Sequence, residues 1–155
     1  MSERLRDQIA LLRDLTPKLN AVTDEAARIV QVVEHFLTEE CKLGLPAFVV
    51  IDRQERNNGF DFERHLEYAR IDGKFRLLVT DVEVHPDGNH SVFSRTPWVN
   101  CPRDLKLSSF EYIPQLFEEI TRRVKRRIEA SERAAKSVTQ LLQDLGVLTE
   151  MEERP

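Results

Sequence analysis

A heptad repeat from Leu5 to Phe36 constrains this chain more than any other feature. One seam position is taken by Leu5, Leu12, Leu19, Ala26 and Val33. The other is taken by Leu15, Val22, Ile29 and Phe36, with Gln8 its polar member. A repeat held over four heptads calls for a long helix packed lengthwise against another helix. Ile9 and Leu11 widen the stripe near its start, and Val30, Val32 and Leu37 widen it near its end, so both ends need more than one neighbour. The helix is expected over residues 2–43, with Ser2 as its cap residue and Glu3 in its first turn. Pro17 either kinks it or restarts it behind a Thr16 cap; the unbroken heptad phase favours a kink or a short break. Gly44 reads as the C-terminal cap residue, and Pro46 blocks continuation.

A second periodic series contains Ile113, Phe117, Ile120, Val124, Ile128, Ala134, Ala135, Val138, Leu141, Leu142 and Leu145. It predicts a helix over residues 109–145, capped by Ser108 or Ser109, with Pro114 early enough to be tolerated. About 36 residues at 1.5 Å each make a rod of ~54 Å, the length of the first. Both stripes are broad at their ends and narrow in the middle. An antiparallel pairing, with Phe36 near Ile113 and Leu12 near Val138, sets broad ends against broad ends.

Between the rods the period changes from helical to alternating. Residues 47–99 read as a β-meander with turns at Asn57-Asn58-Gly59, Asp72-Gly73 and Pro86-Asp87-Gly88-Asn89. A two-residue turn at Asp72-Gly73 sets Tyr68 opposite Leu77 and Leu66 opposite Val79. One at Asn58-Gly59 sets Val49 opposite Tyr68 and Ile51 opposite Leu66. Both registers put Val49, Ile51, Leu66, Tyr68, Leu77 and Val79 on one face. The other face carries Phe48, Val50, Ala69, Leu78, Val82 and Val84, too apolar for full exposure, so a helix flank or another subunit is expected to cover part of it. A fourth strand is expected near Ser91–Arg95 with Val92 or Phe93 facing in. Residues 100–108 read as a linker and 149–155 as a flexible acidic tail. The expected fold is α+β and a single domain over residues 1–155. Long antiparallel N- and C-terminal helices form a coiled-coil-like hairpin with an inserted three- or four-stranded antiparallel β-meander.

The residues that carry chemistry are sparse. Two cysteines, Cys41 and Cys101, make no disulfide framework. No apolar run approaches a membrane span and the first residues lack a signal pattern, so a cytoplasmic location is expected. A net charge of −4 argues against a nucleic-acid-coating surface but leaves room for a basic stripe. Arg122, Arg123, Lys125, Arg126 and Arg127 form such a stripe, which either contacts phosphates or pairs with acidic residues of the first helix. No aromatic residue is interleaved with it, which weakens a single-strand-binding reading.

His85, Asp87 and His90 are ligand types around one turn, but turn chemistry alone explains the acidic member. Asp52, Glu63, Asp81 and Glu83 invite a metal-dependent hydrolase reading; valine stands where such sites often carry lysine, and Arg64 falls opposite Asp81. Arg28 and His35 have a spacing similar to that of HEPN-type ribonucleases, an all-helical family that the inserted sheet does not fit. Cys101 reads as a small buried residue and Trp98 as a core plug or a partner anchor. No cofactor is expected.

The excess apolar surface at the ends of both rods favours a non-enzymatic interaction or assembly module. It is expected to form a homodimer or to bind a protein partner through Leu5, Ile9, Leu11, Leu12, Leu142, Leu145 and Leu148. Nucleic-acid association through the basic stripe is the alternative, and hydrolysis on the sheet carboxylates a weaker one.

Overall fold

The computed structural model describes residues 2–148; the stretch 149–155, expected as a flexible tail, lies outside the described residues. The fold class is the expected one, α+β with two long helices around a four-stranded antiparallel meander. Helix α1 (Glu3–His35) continues without a break through Pro17. Around Pro17 the helix is exposed on every side, so water can satisfy the Arg13 carbonyl that proline leaves without a donor. At its start the Ser2 carbonyl, rather than the hydroxyl, takes up the Leu5 N–H at 3.0 Å. Past His35 the helix widens into a π turn over Phe36–Glu40, with the Cys41 N–H on the Phe36 carbonyl at 2.9 Å. The left-handed residue that stops it is Lys42 (φ 48°), not the expected Gly44.

Strands β1 (Ala47–Gln54), β2 (Asp61–Ile71), β3 (Lys74–Val84) and β4 (His90–Pro97) lie in sequence order. The β2–β3 register is as expected, Tyr68 opposite Leu77 and Leu66 opposite Val79. Its turn puts Asp72 at φ 48° and Gly73 at φ 80°, the doubly left-handed backbone that matches the twist of a hairpin. The β1–β2 register differs: Ala47, not Val49, faces Tyr68, and Val49 faces Leu66. The Asn57–Gly59 loop is longer than two residues, and a bulge at Ile51 takes up the irregularity. Up to Val50 the slip is two residues and the β1 side chains keep their faces; past the bulge it is one, and Asp52 joins Arg64 on the helix-facing side.

The helix-facing core joins Leu66, Tyr68, Leu77 and Val79 to Ala26, Val30, Leu37, Trp98, Leu116 and Ile120. On the other face Ala69, Leu78, Thr80 and Val82 are also buried. Long side chains shield them: Phe48, with the Arg123 guanidinium of the last helix 5.4 Å over its ring, stacks on His65 at 4.4 Å, and Glu67 joins Thr80 (2.7 Å) and Arg95 (3.2 Å). Neither Val92 nor Phe93 turns inward as expected; both are exposed on β4, an edge strand whose pairing slips between Asp81 and Val82.

The expected linker is structured, and it changes the direction of the second rod. Strand β4 ends opposite Leu78, at the same end of the sheet as Ala47. A rod starting there would run back antiparallel to α1. Instead a 3-10 turn (Trp98–Asn100) and helix α2 (Arg103–Phe110) carry the chain across the helix-facing side. Leu105, Ser108 and Tyr112 arrive beside Ile51, Asp52 and Arg64, at the opposite end. Tyr112 and Pro114 open a new helix, α3 (Ile113–Asp144), which runs back past Phe48 and Pro46. Helix α1 follows the same course: Arg103 donates to Asn20 (2.7 Å), the Leu77 N–H donates to Glu34, and Thr38 to Lys42 stand beside Lys74 to Arg76.

The rods therefore run parallel where they meet, with Phe36 on Phe117 (ring centroids 6.3 Å) and Ile29 beside Phe110. The antiparallel hairpin expected between them is not formed within the chain. Residues 3–22 of α1 leave one end of the sheet and residues 125–144 of α3 leave the other.

Candidate interaction surfaces

The heptad seam of the first rod is bare along its projecting half. Leu12 is 63% exposed and Val22 57%, and Leu5, Leu11, Leu15 and Leu19 are exposed with them. From Ala26 onward the same helix turns its stripe into the core. The α3 arm repeats this pattern: Ile128, Val138 and Leu141 are exposed, Leu145 is 66% exposed, and Leu142 and Leu148 are half-buried. Ile9 is half-buried as well. The seven residues expected to form one interface thus fall into two groups. Leu5, Ile9, Leu11 and Leu12 lie on the α1 arm; Leu142, Leu145 and Leu148 lie at the far end of the molecule. Sequence periodicity finds both groups but carries no information on which end of the sheet each rod leaves.

At the root of the α1 arm, Ala21, Val22, Ala26, Ile29 and Phe110 line an apolar groove with Glu25 as its charged member. Glu25 holds Arg28 by a paired contact, with Nε at 2.8 Å, and this guanidinium keeps the fully exposed carboxyl below its usual pKa. Phe110, expected at the start of the second rod, closes α2 instead. Its place in the groove depends on α2, whose helical period is too short to stand out among Pro97, Pro102 and Pro114.

The basic stripe is partly committed within the chain. Arg122 and Arg123 both bind Glu119, and the hydrogen bond from Arg123, with the charge of both, keeps its carboxyl below the usual range. Arg123 also donates to the Pro46 carbonyl (3.1 Å) and lies 5.4 Å over the Phe48 ring. Lys125, Arg126 and Arg127 make no ion pair among the described residues; Arg126 and Arg127 flank a shallow groove with Leu45 and Pro46.

The sheet carboxylates do not converge. Asp81 is held by Arg64 at 2.7 Å and by Ser94, the cross-strand neutralisation that the register implied. Glu63 points to the opposite face, where it meets His65 at 2.8 Å and Arg53 at 3.8 Å. Among the described residues no three His, Cys, Asp or Glu side chains gather at one point. His85 is bonded to Ser91 and Asp87 to Asn89, which fixes the β3–β4 turn. Cys101 is buried against the Thr96 and Pro97 carbonyls, and burial raises its pKa, which keeps it a thiol. No described helix is long and apolar enough to cross a membrane.

One carboxylate is out of the ordinary. Glu34 accepts the Leu77 N–H at 2.8 Å, just beyond the last β3–β4 pair. Burial raises its pKa, opposed by that hydrogen bond and by Arg76. The folded chain then keeps the proton to higher pH than the unfolded chain. The stabilisation is fully present below the unfolded pKa and is lost as pH rises through the folded value. Glu34→Gln retains an acceptor for Leu77, so its melting temperature is expected to vary less with pH across the window just above ordinary carboxylate values. Superimposable pH profiles for the two proteins would contradict this.

Comparison with protein-family models, with curated proteins and with solved structures gave no match to this chain.

Proposed function

We propose that this chain is a non-enzymatic assembly module that self-associates through its projecting helix arms. The supporting observation is the exposed row Leu5, Leu12, Leu15, Leu19 and Val22 on a helix that stands clear of the sheet. A row of large apolar side chains at heptad spacing, left in water, is the normal signature of a helix that lacks its partner. Burying it at ~25 cal/mol per Å² favours association, although area alone does not set affinity. Lys125, Arg126 and Arg127, which make no ion pair among the described residues, support a second reading, contact with nucleic-acid phosphates.

One experiment separates the two: mass in solution by light scattering, with absorbance recorded for co-purifying nucleic acid at low and high salt. The assembly reading expects a salt-resistant dimer free of nucleic acid. A monomer at micromolar concentration would overturn it, and salt-labile nucleic acid on a monomer would favour the second reading.

A further inference from the structure

Resting on the self-association just proposed, we infer that the occupant of the α1 arm is the α1 arm of a second copy, laid antiparallel across a two-fold axis. The seam is self-complementary when reversed. If residue 13 of one copy lies level with residue 14 of the other, Leu12 packs on Leu15, Leu5 on Val22 and Gln8 on Leu19, each pair occurring twice. In this register Pro17 points outward, where its missing donor costs the interface nothing.

Three further observations fit the same register. Arg4 lies on the same flank as Glu25 of the second copy and two positions, about 3 Å along the axis, from its level, within reach of a side-chain ion pair; Glu25 is the charged residue on the rim of the apolar groove. Leu5 reaches the mouth of that groove, beside Val22 and Phe110. The projecting 20 residues, about 30 Å of helix, leave room for a full antiparallel neighbour before the second sheet is met. Five large side chains per copy, 42–63% exposed, with Ile9 and Leu11 at their flanks, bring the pair to roughly 1,000–1,200 Å² of buried surface, the lower end for a specific interface. The α3 arm is the poorer partner. Its seam, taken through Ile128, Ala135, Val138, Leu142 and Leu145, is interrupted by Ser131 and carries alanine where the α1 seam carries leucine.

The test is a mixing experiment on full-length chains carrying Cys41→Ser. One chain bears Leu12→Cys and the other Leu15→Cys. Mild oxidation is expected to give the mixed disulfide dimer, whereas Leu12→Cys with Leu141→Cys gives none. In parallel, Arg4→Glu is expected to weaken the dimer on the order of tenfold by sedimentation equilibrium, and adding Glu25→Arg to restore it. A dimeric mass with the cross-link only to Leu141→Cys overturns the antiparallel α1 pair and leaves self-association standing. A dimeric mass with no cross-link does the same. A monomeric mass for the Cys41→Ser parent overturns both.

Discussion

Trp98→Ala is expected to cost about 3–5 kcal/mol of folding stability, the range for deleting a large aromatic side chain from a packed core. Trp98 is fully buried, and its indole N–H donates to the Ser109 hydroxyl at 3.0 Å. That hydroxyl is itself anchored on the Leu105 carbonyl, one turn back in α2. Trp98 thus fills the core beneath α1 and also pins the segment that carries the chain across the sheet. Its removal leaves a cavity and frees the α2 backbone together. A denaturant midpoint lowered by the equivalent of a fifth or more of a typical 5–15 kcal/mol stability is expected, along with faster amide exchange in Arg103–Phe110. Trp98→Phe should fall between the two, since it keeps much of the volume and loses the hydrogen bond. A loss under ~1 kcal/mol for the alanine variant would show that this segment is not held by its tryptophan.

Leu12→Lys is expected to abolish self-association while leaving folding almost untouched. Leu12 is 63% exposed in the isolated chain, so lysine there buries no charge and keeps good helix propensity. Surface changes of this kind stay within about 0.5 kcal/mol. In a two-fold interface the same substitution enters twice, on both sides of the central layers, and each copy would desolvate an ammonium group. A weakening of at least ~100-fold in the dimer constant, about 2.7 kcal/mol, is expected. The melting temperature measured at low concentration should be unchanged. An unaltered dimer mass would remove the α1 arm from any account of assembly.

Much of this molecule was legible because its signals are local. The Asp72-Gly73 turn set the β2–β3 register, since a two-residue turn allows no slip when one face must be buried. Arg64 and Asp81 were placed together on the same ground, and they are bonded at 2.7 Å. The β1–β2 register was missed because its loop is longer than its Asn-Gly signal suggests. The α2 helix was missed because eight residues flanked by prolines show too little period to count. The inward side chain assigned to β4 failed because an edge strand has no second neighbour to hold its pleat in phase.

The sequence by itself determined the two rods, the meander between them and the apolar stripe along each helix. Periods of 3.5 and 2 and the turn residues are properties of short stretches of chain. Only the tertiary structure decided which way the second rod points. Two stripes of matching width look like partners, and nothing in their spacing distinguishes a neighbour in the same chain from one in another. That choice was made by Trp98 and α2, which take the chain back across the sheet before α3 begins. The consequence is physical: the Leu5–Val22 stripe, ready for a helix, has none beside it among the described residues and stays exposed to water.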